Sequence, residues 1–135
     1  MYKTNRNEAI FWKITLIYFG LIALSSGIFK ESKFWSGYVL DIAGPAWIYM
    51  LIRGQYNSKE RFFNIKFSPE LALFLIITLS FAIELMQYFE VYNATFDPFD
   101  FLAYLSGTLV IYIIDKTLNI KRRTNERKKT AYNML

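Results

Sequence analysis

LALFLIITLSFAIELMQYF, residues 71–89, decides the fold. It holds one charged side chain, Glu84, and is flanked by Pro69-Glu70 on one side and Glu90 on the other. About 20 apolar residues at ~1.5 Å each cross ~30 Å of hydrocarbon, so this stretch reads as a membrane-spanning helix. Working outward, three more apolar runs appear, before it at 10–29 and 38–53 and after it at 99–118. The expected helices are therefore 10–29, 38–53, 70–89 and 99–118, followed by a basic tail over 119–135. The expected fold is all-α, an integral membrane four-helix bundle forming a single domain over 1–135.

Composition supports this reading. Hydrophobic residues make up 54% of the chain, so the 20% that are charged must be confined to ends and loops. The net charge of +5 does not call for nucleic acid, because basic residues collect at cytoplasmic membrane edges. There is no Cys and no His. Thiol nucleophiles, imidazole bases and the usual zinc, haem and iron–sulfur ligands are thereby excluded. No cofactor is expected; a metal, if bound, would be a hard oxygen-ligated ion such as Mg²⁺ or Ca²⁺.

Two runs need a decision. The second is short and contains Gly44-Pro45, which would kink a helix. A re-entrant segment is the alternative to a full span. It would put the loop at 53–70 on the wrong side of the basic-residue count, so a tilted or kinked span is preferred. The first run is read as a retained helix. Its apolar stretch exceeds a signal-peptide core, and no small-x-small site closes it.

Lys and Arg set the orientation. With the N-terminus inside, the inner segments hold Lys3, Arg6, Lys13, Arg53, Lys59, Arg61, Lys66 and Lys116, then Lys121, Arg122, Arg123, Arg127, Lys128 and Lys129. Of 16 basic residues only Lys30 and Lys33 fall outside. Both termini are therefore expected to be cytoplasmic. Trp35, Tyr38, Tyr88 and Tyr92 would form the outer aromatic belt, and Trp12 and Tyr56 the inner one. Asp115 reads as a solvated end residue, Arg53 as a snorkelling anchor, and the tail as an anchor on anionic lipid.

Ionisable groups within a membrane are costly, so their placement carries information. Asp41, Glu84, Gln87, Asp97 and Asp100 all fall at the outer end. Ile77, Ser80, Glu84 and Gln87 share one stripe of the third helix, and Asp100, Ala103, Gly107 and Ile111 one stripe of the fourth. Asp41, Gly44/Pro45 and Ile48 share a face of the second. Ala103 and Gly107 are small enough to admit a close neighbour helix. Three helices thus aim carboxylates at one outward-opening pocket. Such a cluster is relieved by protonation, by a hard cation at Glu84, Asp97 and Asp100, or by a cationic or hydrogen-bonding ligand. The competing reading is polar glue and helix caps, with Asp97 before Pro98 as an N-cap.

The same residues carry a family resemblance. Glu84-Leu85-Met86-Gln87, then Thr95-Phe96-Asp97-Pro98-Phe99-Asp100, then Gly107, resemble the VanZ-like family of bacterial membrane proteins. The resemblance spans 80–115. Leu40-Asp41 and the run from Asp100 to Tyr104 look like a related group in the same superfamily. Tyr104 stands where the family pattern has Asn, and Ala94 where an Arg often precedes Thr-Phe-Asp; Tyr104 joins the candidate ligand-binding set at that position. The resemblance implies a small helical bundle in the cytoplasmic (inner) membrane of a bacterium, near cell-envelope chemistry and associated with teicoplanin resistance.

The functional expectation is a binding or accessory protein at the outer membrane face. Its ligand would be an envelope lipid, a lipid-linked glycan or a glycopeptide. The alternatives are a structural subunit of a larger membrane complex or homo-oligomer, and a carboxylate enzyme using Mg²⁺. Membrane lipids are expected partners, and nucleic acid is not.

Overall fold

The computed structural model describes residues 6–28, 32–54, 67–91 and 97–134. Lys3, Lys30, Tyr56, Lys59, Arg61, Lys66, Tyr92, Ala94, Thr95 and Phe96, which entered the readings above, lie outside the described residues.

Four α-helices follow in order: α1 (Arg6–Ser25), α2 (Lys33–Arg53), α3 (Pro69–Tyr88) and α4 (Pro98–Tyr132). Among the described residues there is no strand. Their starts are written locally. Ser32 caps α2 by accepting from the Trp35 N–H at 3.3 Å. Ser68 caps α3 by accepting from the Leu71 N–H at 3.1 Å, with Pro69 at the first helical position. Gly54, at φ 56°, closes α2 in the left-handed conformation that glycine tolerates best.

The helices run alternately up and down. One end of the bundle gathers the start of α1, the end of α2, the start of α3 and the basic half of α4. We call this the basic end and its opposite the acidic end.

α1, α3 and α4 are long and apolar enough to cross a membrane; α2, diluted by Asp41, Gly44, Pro45 and several aromatics, is not among them. It is nonetheless continuous over 21 residues, with Pro45 inside it. It is also the central helix, packing against α1, α3 and α4. That position explains its composition, since its neighbours cover much of it. Val39, Ala43, Ala46, Tyr49, Met50 and Arg53 are its buried residues.

The core forms where α2 meets the others, from Trp12, Ala46, Tyr49, Met50, Ala72, Ile76 and Ile111. Trp12, expected in an interfacial belt, is instead 3% exposed in this core. The stripe Ala103, Gly107, Ile111 on α4 is buried as its spacing predicts, and Gly107 lies against the α2 backbone at Ile42. On α3 the buried stripe runs Ala72, Ile76, Ser80, Glu84, so Ile77 falls outside it. Ile48, expected to share the Asp41 face, is likewise exposed. Large apolar side chains on the outer surface, such as Ile14, Leu24, Phe74 and Phe99, remain uncovered.

The largest departure in boundaries concerns α4. Its apolar run ends near Leu118, but the helix continues to Tyr132, 35 residues in all. Residues 119–132 are thus an extension of α4 rather than a separate tail. Hydropathy ends there, but helix propensity does not, because the extension is rich in Lys and Arg and has no Gly or Pro.

Candidate functional site

Two polar clusters are built into the bundle, one at each end. The acidic end contains the residues singled out from sequence. Asp41 of α2, Glu84 of α3, and Asp100 and Tyr104 of α4 lie close enough to act on one another electrostatically. Three helices therefore do bring carboxylates together, with Asp41 included because α2 is continuous. Among the described residues, none of these groups has an ion-pair partner.

Asp97 has a structural task. One carboxylate oxygen accepts from the Phe99 N–H at 2.9 Å, capping α4, and the other from the Tyr38 hydroxyl at 3.1 Å, tying α4 to α2. Asp97→Ala removes both. It is expected to cost about 1–2 kcal/mol, read as a lowered thermal midpoint in detergent.

Glu84 is different. It is 1% exposed, and the Tyr104 hydroxyl lies close enough to interact with its carboxylate, yet neither oxygen meets a donor in good hydrogen-bond geometry. One turn further along the same face, the Gln87 side-chain oxygen is also buried without a partner. Buried polar atoms left unpaired cost about 1–3 kcal/mol each, more when charged. Three unpaired acceptors on one helix face are what a donor-rich ligand group could satisfy. A metal is a poorer match, since no group of three Asp or Glu side chains among the described residues is arranged to hold one. One turn towards the middle of the bundle, a cavity of about 10 Å³ touches Ser80, Tyr104 and Thr108, room for roughly one water.

The second cluster lies at the basic end, and the sequence reading missed it. Asp115 is 1% exposed and Arg53 7%, so neither is the solvated end residue or the snorkelling anchor expected. Arg53 grips Asp115 in a forked ion pair, with Nε on one oxygen and Nη2 on the other at 3.1 Å. Its Nη1 donates to the Phe67 carbonyl, reaching the start of α3. Tyr49 donates to Asp115 at 2.8 Å, and Asn119 at 2.7 Å. Every charged atom finds a partner, which is what a buried ion pair requires. The available signal was spacing: Tyr49 and Arg53 are i,i+4 on α2, and Asp115 and Asn119 are i,i+4 on α4, which runs parallel to α2.

Arg122 extends this layer by pairing with Glu8 of α1. Lys116 sits 3.5 Å from Glu70 and donates to the Tyr112 hydroxyl at 2.9 Å. This second cluster is a lock joining helices, whereas the first holds unsatisfied acceptors. Compared with known proteins, the chain matches no family model, no curated protein and no solved structure, so the VanZ-like resemblance rests on the short motifs alone.

Proposed function

We propose that this chain is a four-span protein of the bacterial cytoplasmic membrane, with both termini inside, that binds an envelope ligand from the outer face. The three long apolar helices and their uncovered outer side chains support insertion. The concentration of Lys and Arg at the basic end supports placing that end in the cytoplasm. The acidic end then meets the outer leaflet.

The observation that carries the binding role is Glu84, buried with both oxygens unpartnered. With Gln87 beside it and Asp41, Asp100 and Tyr104 around it, this site suits a ligand that brings a cationic N–H donor. An ammonium-bearing lipid headgroup fits that description. So would an amine on a lipid-linked glycan or on a glycopeptide, the class to which the motif resemblance points.

The test compares phosphatidylethanolamine with phosphatidylcholine. Both headgroups are zwitterionic with a cationic nitrogen, but the second has no N–H to donate. Wild-type protein released from mixed nanodiscs should retain the ethanolamine lipid in preference, as read by native mass spectrometry. Glu84→Gln should weaken that preference about tenfold, the worth of a hydrogen bond to a charged group, while leaving the thermal midpoint unchanged or higher. Teicoplanin, titrated against the protein's tryptophan fluorescence, is the second probe. If the wild-type protein prefers neither probe and Glu84→Gln lowers the midpoint, Glu84 is helix glue and the binding role fails.

A further inference from the structure

A cavity of about 340 Å³ opens at the basic end, between the start of α3 and the middle of α4. It is separate from the acidic cluster and from the Glu84 ligand proposed above. Arg53, Lys116, Arg122 and Arg123 line it, against one lining carboxylate, Glu70. Asp115 answers Arg53 and Glu8 answers Arg122 from outside the lining. That leaves a full positive charge in excess, carried by Arg123. The Nε of Arg122 is buried without a hydrogen-bond partner. Arg122 and Arg123 bring two guanidinium groups to a cavity with surplus positive charge, which calls for an anion.

The rest of the lining narrows the choice. Phe67, Pro69 and Ile120 give the cavity an apolar side next to its cationic one. Lys116 lies about 27 Å along α4 from Pro98 at ~1.5 Å per residue. That is close to the ~30 Å thickness of hydrocarbon, so in a membrane the cavity would sit where acyl chains give way to headgroups. Arginine suits phosphate because its planar fork donates two parallel N–H bonds.

We propose that this cavity is a binding site for a phosphate group carried on a small carbon skeleton, with Arg122 and Arg123 as the main ligands and Lys116 at the rim. A phosphodiester headgroup of an anionic inner-leaflet lipid and a soluble phosphate ester share this chemistry. The site is independent of the Glu84 reading, and Glu84→Gln should not affect it.

Full-length protein is reconstituted in nanodiscs of phosphatidylglycerol and phosphatidylcholine, and retained lipid is counted by native mass spectrometry. A parallel arm measures the thermal shift with glycerol 3-phosphate in phosphatidylcholine alone. Wild type is expected to retain one phosphatidylglycerol, or to be stabilised by glycerol 3-phosphate if the source is soluble. Arg122→Gln with Arg123→Gln should reduce either signal at least about tenfold, each basic group near an anionic surface being worth ~1 kcal/mol. Lys121→Gln with Lys128→Gln removes the same charge from α4 outside the lining and should leave the signal within about twofold. Glu70→Gln removes the rim carboxylate and should strengthen retention, which keeps the test open if loss of the Glu8 partner impairs folding. Equal losses in the two double variants would show diffuse attraction and overturn the site. So would the absence of both signals in the wild type.

Discussion

Asp115→Ala is expected to destabilise the protein by about 3–5 kcal/mol, the cost of stranding a buried charge. The substitution leaves the Arg53 guanidinium 7% exposed with only the Phe67 carbonyl and orphans the Tyr49 hydroxyl, whereas Asn119 keeps its bond to the backbone carbonyl of residue 115. Unfolding in mixed micelles, followed by tryptophan emission, should show an early midpoint or no folded baseline. The reverse substitution, Arg53→Ala, should cost about as much, because it strands the carboxylate. Replacing both partners, Arg53→Met with Asp115→Leu, should recover most of the loss, since an apolar pair of similar volume needs no partner. Additive single losses in the double variant would show that the two residues do not act as a pair.

Gly107 should be nearly as sensitive for a steric reason. A Cβ built there would lie 1.9 Å from the Ile42 carbonyl oxygen, and backbone cannot rotate away as a side-chain tip can. Gly107→Ala must therefore push α4 off α2, at a cost of about 1–3 kcal/mol or more. Gly107→Leu should prevent the two helices from pairing, seen as loss of a monodisperse peak in detergent. Because Asp41 rides on α2 and Asp100 on α4, even the alanine variant should weaken ligand preference at Glu84. Gly37 and Gly44 provide the contrast. Nothing lies within 4 Å of a Cβ at either, so alanine there should be neutral or stabilising by up to about 1 kcal/mol. A neutral Gly107→Ala would mean that the helices are not packed this closely.

Much of the architecture was legible because apolar run length and small-residue spacing are direct physical signals. The stripe Asp100, Ala103, Gly107, Ile111 announced a close helix contact, and the structure shows the neighbour to be α2. The gathering of Asp41, Glu84 and Asp100 followed from alternating helix direction plus periodicity. What escaped depended on neighbours that a single helix does not reveal. Arg53 and Asp115 each resembled a terminal anchor, and only the parallel pairing of α2 with α4 makes them partners. Trp12 looked like a belt residue because indole prefers interfaces, but in this fold it faces the core. The end of α4 was misplaced because hydropathy reports the solvent a helix prefers, not whether its backbone is helical. Ile76 displaced Ile77 because a stripe can lean either way by one residue when both candidates are apolar.

The central position of α2 has a consequence for biosynthesis. Its most demanding side chain, Arg53, finds its carboxylate 62 residues later in the chain. A ribosome adding ~5–20 residues per second reaches Asp115 roughly 3–12 s after Arg53. Throughout that interval α2, the one helix not apolar enough by hydropathy to cross a membrane, has α1 and then α3 for company and a guanidinium with no counter-charge from α4. The helix at the middle of the finished bundle is therefore the last to be secured. A truncation that halts synthesis before Asp115 should leave α2 open to proteases that the completed chain resists.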